Sequence, residues 1–214
     1  MALGPRIYNL FPLLVGPVDK WAEHLPRIAE MGFDWVFVNP FHRPGASGSL
    51  YSIADYYEIN PLFTKGTDKA PDALLSGFVE EARKHGLSVM MDLVINHPAI
   101  DSPLIGQYPA WHRRNDDGSI FQPFVVDPND PNKVTVWRDL AEIDYSPRPE
   151  RDQIIGYWAD LVRHYANLGF QGFRCDAAYK VPADVWKPLI DAAREVRPDS
   201  VFAAETLGCG PETV

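Results

Sequence analysis

Apolar residues along this chain follow two alternating patterns. Five short, nearly continuous apolar runs predict strands buried on both faces. These runs lie at residues 6–11, 33–39, 87–95, 170–176 and 201–205. Apolar residues recurring every three or four positions predict four amphipathic helices. These lie at residues 18–31, 71–85, 150–168 and 182–196. Pro26 falls inside the first helix and predicts a kink or a late start there.

Strict alternation of strands and helices predicts an α/β fold with a parallel sheet. A doubly wound sheet and a (β/α)8 TIM barrel both fit this order. A dinucleotide-binding sheet needs a glycine-rich turn after its first strand, and none follows residues 6–11. The barrel is therefore favoured, as a partial barrel of about five strands.

One segment breaks the alternation. Residues 98–149 are rich in Pro, Asp and Trp and too long for an ordinary loop. We interpret them as a small inserted domain after the third strand. Residues 1–97 and 150–214 then form the partial barrel.

Polar side chains follow three of the predicted strands. Arg174 and Asp176 are two residues apart and share one face of their strand. A guanidinium beside a carboxylate holds it ionised, which suits a nucleophile, although a structural ion pair explains the two residues equally well. Glu205 follows Phe-Ala-Ala, an apolar setting that favours the protonated acid. Asp92, by contrast, is expected to order the end of its strand rather than to react.

Composition narrows the class of partner and the compartment. The net charge of −9 and the pI near 5.1 argue against nucleic acid or an anionic membrane as a partner. Cys175 and Cys209 form neither a metal-type spacing nor a disulfide framework. The apolar run at residues 10–15 is too short for a signal peptide or a membrane span, which predicts a cytoplasmic protein.

Two stretches superficially resemble ligand loops. GASGS at residues 45–49 lacks the Lys-Ser/Thr of a nucleotide loop and opens no predicted helix. DPNDPNK at residues 127–133 has Asn132 where a calcium-binding EF-hand loop needs Gly, and Arg138 where it needs Glu. Neither stretch predicts a cofactor or metal site.

Five longer motifs together resemble the α-amylase superfamily, glycoside hydrolase family 13, over nearly the whole chain. The third-, fourth- and fifth-strand motifs are matched by DLVINH (92–97), GFRCDAA (172–178) and FAAETLG (202–208). LYSIADYYEINPLF (50–63) is similar to the family's substrate-stacking loop, and WRDLAEIDYSPRPE (137–150) to the exit from its inserted domain B. AAYKVP (177–182) is similar to the glycogen-linked maltosyltransferases of the family.

The resemblance implies a retaining α-glycosidase or transglycosylase acting on an α-glucan or maltooligosaccharide. Asp176 would attack the anomeric carbon, and Glu205 would serve as acid and then as base. Arg174 would accompany them in the substrate site. Whether water or a sugar hydroxyl accepts the glycosyl group stays open.

Further site residues are implied by position in these motifs. Tyr51 would stack on a sugar ring, with Asp55 following it; ordinary loop packing is the alternative for Tyr51. His97 would hydrogen-bond the sugar in the −1 subsite, although a His after a strand is often structural. Asn96 would brace the site or ligate calcium, which is not counted as a predicted cofactor. Lys180 would contact the +1 or +2 sugar.

Two departures from the family pattern bear on these expectations. Tyr179-Lys180 stands where the family usually carries Lys-His. The family's His-Asp pair after the seventh strand falls outside the five predicted strands. We therefore expect the N-terminal part of a catalytic barrel, with an inert or merely sugar-binding fragment as the alternative. Its two open sheet edges predict self-association or pairing with a complementary C-terminal chain.

Overall fold

A computed structural model describes residues 4–127, 130–206 and 209–210. Its strands are β1 (Ile7–Leu10), β2 (Trp35–Val38), β3 (His42–Pro44), β4 (Ile53–Ile59), β5 (Ser88–Leu93), β6 (Phe124–Asp127), β7 (Asp130–Val136), β8 (Gly172–Cys175) and β9 (Val201–Ala204). Its α-helices are α1 (Pro12–Val15), α2 (Val18–Trp21), α3 (Leu25–Glu30), α4 (Pro71–Lys84), α5 (Pro103–Gln107), α6 (Arg151–Leu168) and α7 (Ala183–Val196).

The centre of the fold is one parallel sheet with the strand order β1-β2-β5-β8-β9. These are the five predicted strands, and α4, α6 and α7 follow the predicted helices to within one residue at each end. Among the described residues the sheet does not close, so the partial barrel is confirmed as an open one. All five strands run the same way, and their carboxyl ends therefore meet at one edge.

The first predicted helix is broken into shorter pieces. After α2, a 3₁₀ turn over Ala22–His24 leads into α3, and Pro26 lies in the first turn of α3. A proline is tolerated there because the first-turn N–H groups have no intrahelical acceptor. Pro26 predicts a kink or a late start. Helical structure begins at Val18, as the pattern predicts, so the structure shows an interruption before the proline and not a late start.

Large aromatic side chains fill the space between the sheet and its helices. Trp21, Trp158, Tyr165 and Phe170 are all at most 2% exposed. Trp21 meets the edges of Phe63 and Phe78, at centroid distances of 5.8 and 5.4 Å. Such packing fixes the helices on the sheet and so holds the strand ends in register.

Sequence reasoning missed two antiparallel hairpins. β3 pairs with β4 inside residues 41–61, which the sequence predicts to be a loop without strands. β6 pairs with β7 inside residues 98–149. Part of the DPNDPNK stretch lies outside the described residues. The division into a barrel and an inserted domain stays a prediction.

None of the helices that the structure describes is both long enough and apolar enough to cross a bilayer. The cytoplasmic location stays a prediction.

Candidate active site

Three acidic side chains meet one guanidinium at the carboxyl edge of the sheet. Asp92 on β5 lies directly opposite Arg174 on β8 in the strand register. Nη1 of Arg174 donates to Oδ1 of Asp92 and to Oδ1 of Asp176, each at 2.7 Å. Nη2 contacts Oε1 of Glu205 at 2.9 Å. The two predicted catalytic acids thus lie on the same side of the sheet, against the same cation.

The turn after β8 supplies the second contact to Glu205. Ala177 has φ of +41°, in the left-handed region, the one non-glycine residue with positive φ among those described. Its N–H donates to Oε2 of Glu205 at 2.8 Å. A strained backbone that aims a donor at an acidic side chain is typical of functional sites.

Burial controls the charge of the two aspartates. Asp92 is completely buried, and burial raises its pKa to about 7 although Arg174 favours the charged form. Burial also raises the pKa of Asp176, again against the opposing pull of Arg174. The expectation that Arg174 dominates the ionisation of Asp176 is therefore wrong, because removing the carboxylate from water outweighs the nearby cation.

The expected apolar setting of Glu205 is also wrong. Its carboxylate contacts a guanidinium and a backbone N–H, and its side chain is 28% exposed. The Phe-Ala-Ala run before it belongs to β9 and packs behind the site, where Phe202 stacks on Phe173 at 5.1 Å.

Tyr51 lies on top of this cluster. Its hydroxyl donates to Oδ2 of Asp92 at 2.9 Å and accepts from Nδ2 of Asn39 at 3.0 Å. The guanidinium carbon of Arg174 lies 5.9 Å from the centre of its ring. The structure therefore places Tyr51 beside Arg174, and the ring of Tyr51 is half-buried.

Asn96 and His97 line the same edge with unused polar atoms. Both are buried, at 5% and 7% exposure. Oδ1 of Asn96 has no hydrogen-bond partner among the described residues. Neither ring nitrogen of His97 bonds to a side chain there, and the ring lies beside the backbone of Tyr51. Burial lowers the pKa of His97 to about 4, so its ring is neutral at neutral pH. Buried unpaired polar atoms are costly, and a hydroxyl-rich ligand would satisfy them.

Lys180 lies near Asp176 and His97. Its positive charge opposes the effect of burial on the pKa of Asp176 and adds to the effect of burial on the pKa of His97. Its ammonium stands over the ring of Trp137 at 5.2 Å. Lys180 and Asn96 border a cleft of about 290 Å³, with Arg113 and Glu142 on its far side.

Asp55 does not join the cluster through any contact among the described residues. Its Oδ1 instead accepts from the backbone N–H groups of Tyr57 and Glu58, at 2.8 and 3.2 Å. The side chain thus stabilises a local turn in β4, the usual role of an aspartate with such contacts. Its predicted place beside Tyr51 in the substrate site is not supported by this geometry.

The residues around Asn96 do not fit calcium. Ca²⁺ takes six or more oxygen ligands, mostly carboxylates and carbonyls. The cleft facing Asn96 carries the cations Lys180 and Arg113, and the carboxylate of Glu142 is paired with Arg113 at 2.8 Å. Within the described part of the chain, no group of three His, Cys, Asp or Glu side chains could hold a metal.

Sequence reasoning overlooked two asparagines. Asn39 follows β2 and contacts Tyr51, while Asn9 on β1 contacts Asn39. The signal that identifies Asn96 and Asp176, a polar residue at the end of an apolar run, is present at residue 39 as well. Asn9 lies inside its run, so only the sheet register reveals it.

The first half of the chain matches a known protein family. Residues 6–113, half of the chain, match the family described as "Glycogen debranching enzyme, glucanotransferase domain". The match includes β1, β2, β5, Tyr51 and the DLVINH motif, and it ends before β8.

Curated relatives extend the similarity to the rest of the chain. An alpha-1,4-glucan:maltose-1-phosphate maltosyltransferase of Burkholderia pseudomallei is 26% identical over 97% of this chain and 17% of its own length. The alpha-amylase MalA of Haloarcula japonica is 25% identical over 92% of this chain and 28% of its own. The chain therefore spans less than a third of the length of these relatives.

Solved structures agree with the fold. An alpha-amylase from Lactobacillus plantarum superposes with a TM-score of 0.77 at 26% identity, covering 94% of this chain and 45% of that one. The maltogenic alpha-amylase AmyB from Thermotoga neapolitana gives a TM-score of 0.73 at 27% identity, covering 94% of this chain and 46% of that one.

Proposed function

This chain belongs to the family of the glycogen debranching enzyme glucanotransferase domain, within the α-amylase superfamily. We propose that it carries the two catalytic acids of a retaining active site that acts on an α-glucan. The observation that supports this most directly is that one guanidinium, Arg174, contacts both Asp176 and Glu205. Retaining glycosidases need two carboxyl groups only about 5–5.5 Å apart. Contact of both acids with the same planar group keeps them near each other, which supports this assignment.

The proposed reaction proceeds by double displacement. A carboxylate oxygen of Asp176 attacks the anomeric carbon as the glycosidic bond breaks, and Glu205 gives its proton to the departing oxygen. Glu205 then takes a proton from water or from a sugar hydroxyl, which attacks the glycosyl ester and releases Asp176. No net proton or electron is consumed.

The surrounding residues have separate proposed roles. Tyr51 offers its ring to the sugar in the −1 subsite, and the neutral ring of His97 hydrogen-bonds a hydroxyl of that sugar. Asn96 uses its free amide oxygen in the same way. Lys180 faces the acceptor or leaving-group side. Asp55 is left out of this scheme, since its carboxylate stabilises a turn.

The test is cleavage of maltooligosaccharides, measured as new reducing ends. The chain is assayed alone and with a second polypeptide carrying the later barrel strands of the matched α-amylases. We expect activity that Asp176→Asn lowers by 10³-fold or more, on the order of the loss from removing a nucleophile. Equal activity in the parent and the variant would overturn the assignment and favour a fragment that only binds sugar.

A second candidate donor is a sugar phosphate. The maltosyltransferase relatives are named for maltose-1-phosphate. Among the described residues Lys180 has no carboxylate partner within salt-bridge distance, and its ammonium lies at the cleft beside Asp176. A free ammonium there suits a phosphate leaving group. Release of inorganic phosphate from maltose-1-phosphate, lost in Lys180→Met, would favour this donor over a plain glucan.

We also propose that copies of this chain associate with one another. β1 and β9 each pair with one strand only among those described, and near β1 Leu14 is 85% exposed. Unpaired strand edges are templates for pairing with another chain. We expect dimers or larger species in sedimentation velocity at micromolar concentration. A stable monomer would count against this part of the proposal.

A further inference from the structure

A chain of hydrogen bonds crosses the sheet from β1 to the three acids. Nδ2 of Asn9 donates to Oδ1 of Asn39 at 2.7 Å, and Nδ2 of Asn39 donates to the hydroxyl oxygen of Tyr51 at 3.0 Å. That hydroxyl donates to Oδ2 of Asp92 at 2.9 Å, whose other oxygen accepts from Arg174. The first link is exposed and the later links are partly buried.

The donor-to-acceptor direction of this series of hydrogen bonds is fixed at its first residue, Asn9. Nδ2 of Asn9 also donates to the carbonyl oxygen of Phe37, its partner in the register, at 3.2 Å. Two acceptors face this nitrogen, so the opposite amide orientation would place oxygen against oxygen. Asn39 must then accept with its oxygen and present its NH₂ to Tyr51.

The hydroxyl proton of Tyr51 points toward Asp92. Its oxygen accepts from Asn39, so its single hydrogen is left for Asp92. Both oxygens of Asp92 thus receive a donor, one from Tyr51 and one from Arg174. A carboxylate with both oxygens occupied in this way cannot rotate without losing a hydrogen bond, and it keeps Arg174 in its present orientation.

We propose that Asn39, held by Asn9, is a positioning residue that aims the Tyr51 hydroxyl proton at Asp92 and thereby holds Arg174 against Asp176 and Glu205. The catalytic consequence rests on the proposed function of those two acids. The order of the hydrogen bonds does not depend on it.

Asn39→Asp and Asn39→Leu probe this role differently. Aspartate has nearly the same shape but cannot donate, so the Tyr51 hydroxyl would be shared between two carboxylates. The Tyr51 hydroxyl would then donate to Asp92 for only part of the time, and a second negative charge would lie near Asp92. Leucine removes the donor to Tyr51 without adding charge. Asn9→Ala leaves Asn39 in place but frees its amide to rotate.

The experiment is a pH titration of carboxyl ¹³C chemical shifts, with Asp92 assigned through Asp92→Asn. The charged or titratable groups close enough to influence Asp92 are Tyr51, Arg174, Cys175 and Asp176. We expect Asn39→Asp to raise the pKa of Asp92 by about one unit or more, and Asn39→Leu and Asn9→Ala to raise it by less. Asn167→Asp is the matched control, since Asn167 is exposed on α6 and, within the described part of the chain, its side chain donates to the carbonyl oxygen of Arg163 at 2.9 Å.

Unchanged Asp92 titration in Asn39→Leu and Asn9→Ala, with a lower melting temperature as the only effect, would overturn the proposal and leave Asn39 a structural residue. Those two variants decide the matter even if Asn39→Asp fails to fold. Failure of the proposed function would appear instead as a parent chain without cleavage activity. The titration needs no substrate, so the two failures are distinguishable.

Discussion

Nη1 of Arg174 donates to Oδ1 of Asp176 across 2.7 Å, and the same nitrogen serves Asp92. With Glu205 on Nη2, one positive charge is shared among three acidic groups. With Asp92 and Asp176 ionised and Glu205 carrying the proton that it gives to the departing oxygen, the cluster has a net charge of about −1. That charge favours the positive oxocarbenium-like sugar of a glycosidase transition state. The same arrangement makes the fold depend on Arg174.

Replacing Arg174 by Met should destabilise the fold by about 3–5 kcal/mol at pH 8, because it leaves buried carboxylates without their cation. The missing cation raises the pKa of Asp92 further. A carboxyl pKa that is higher in the folded chain than in the unfolded chain lowers the free energy of unfolding at pH values above the unfolded pKa. The loss should therefore shrink as the pH falls toward 5. Urea denaturation at both pH values measures this.

Arg163→Met is the control for that change. Arg163 lies 40% exposed on α6 and pairs with Asp160 and Glu195, both at 3.0 Å. An exposed pair contributes under about 1 kcal/mol, with little pH dependence in this range. If Arg174→Met cost no more than Arg163→Met, the buried carboxylates would not need their cation.

Replacing His42 by Phe should flatten the acid side of the stability profile. Neither ring nitrogen of His42 has a partner among the described residues, and the ring stacks on Phe41 at 4.6 Å. Burial lowers the pKa of His42 from 6.5 to about 3, so protons favour the unfolded chain as the pH falls below 6.5. Without this group, the loss of stability between pH 6 and 4 should be less steep by about 1.4 kcal/mol per pH unit.

His97 and His112 act with the same sign, since burial lowers the pKa of each to about 4. Some acid sensitivity should therefore remain in His42→Phe. Equal slopes for His42→Phe and the parent, from urea titrations at several pH values, would show that His42 is not buried neutral.

Gly172 begins β8 where another residue would collide with its neighbours. A Cβ there would lie 2.7 Å from Cζ3 of Trp35 and 2.9 Å from Cε of Met90. Gly172→Ala should therefore cost about 1–3 kcal/mol in urea denaturation. Gly156→Ala, in α6 with nothing within 4 Å, should gain roughly 0.5–1 kcal/mol. Similar effects of both changes would mean that β8 does not pack closely on β2 and β5.

The five sheet strands and the three long helices could be predicted because each has a periodic or continuous apolar pattern. The hairpins β3–β4 and β6–β7 could not be predicted, because apolar and polar residues are mixed along their strands. Motif resemblance located Arg174, Asp176 and Glu205. The raised pKa of Asp176 could not be read from its neighbours in sequence, because its burial arises only in three dimensions. The contact of Glu205 with Arg174 likewise forms only in the folded chain.

The most direct measurement is to trap the glycosyl-enzyme. A 5-fluoroglycosyl fluoride of α configuration would be incubated with the chain and the later barrel strands, followed by peptide mass spectrometry. The account predicts a covalent sugar on the peptide bearing Asp176 in the parent and none in Asp176→Asn. A sugar attached to Asp92, to Glu205 or to any other residue would contradict it.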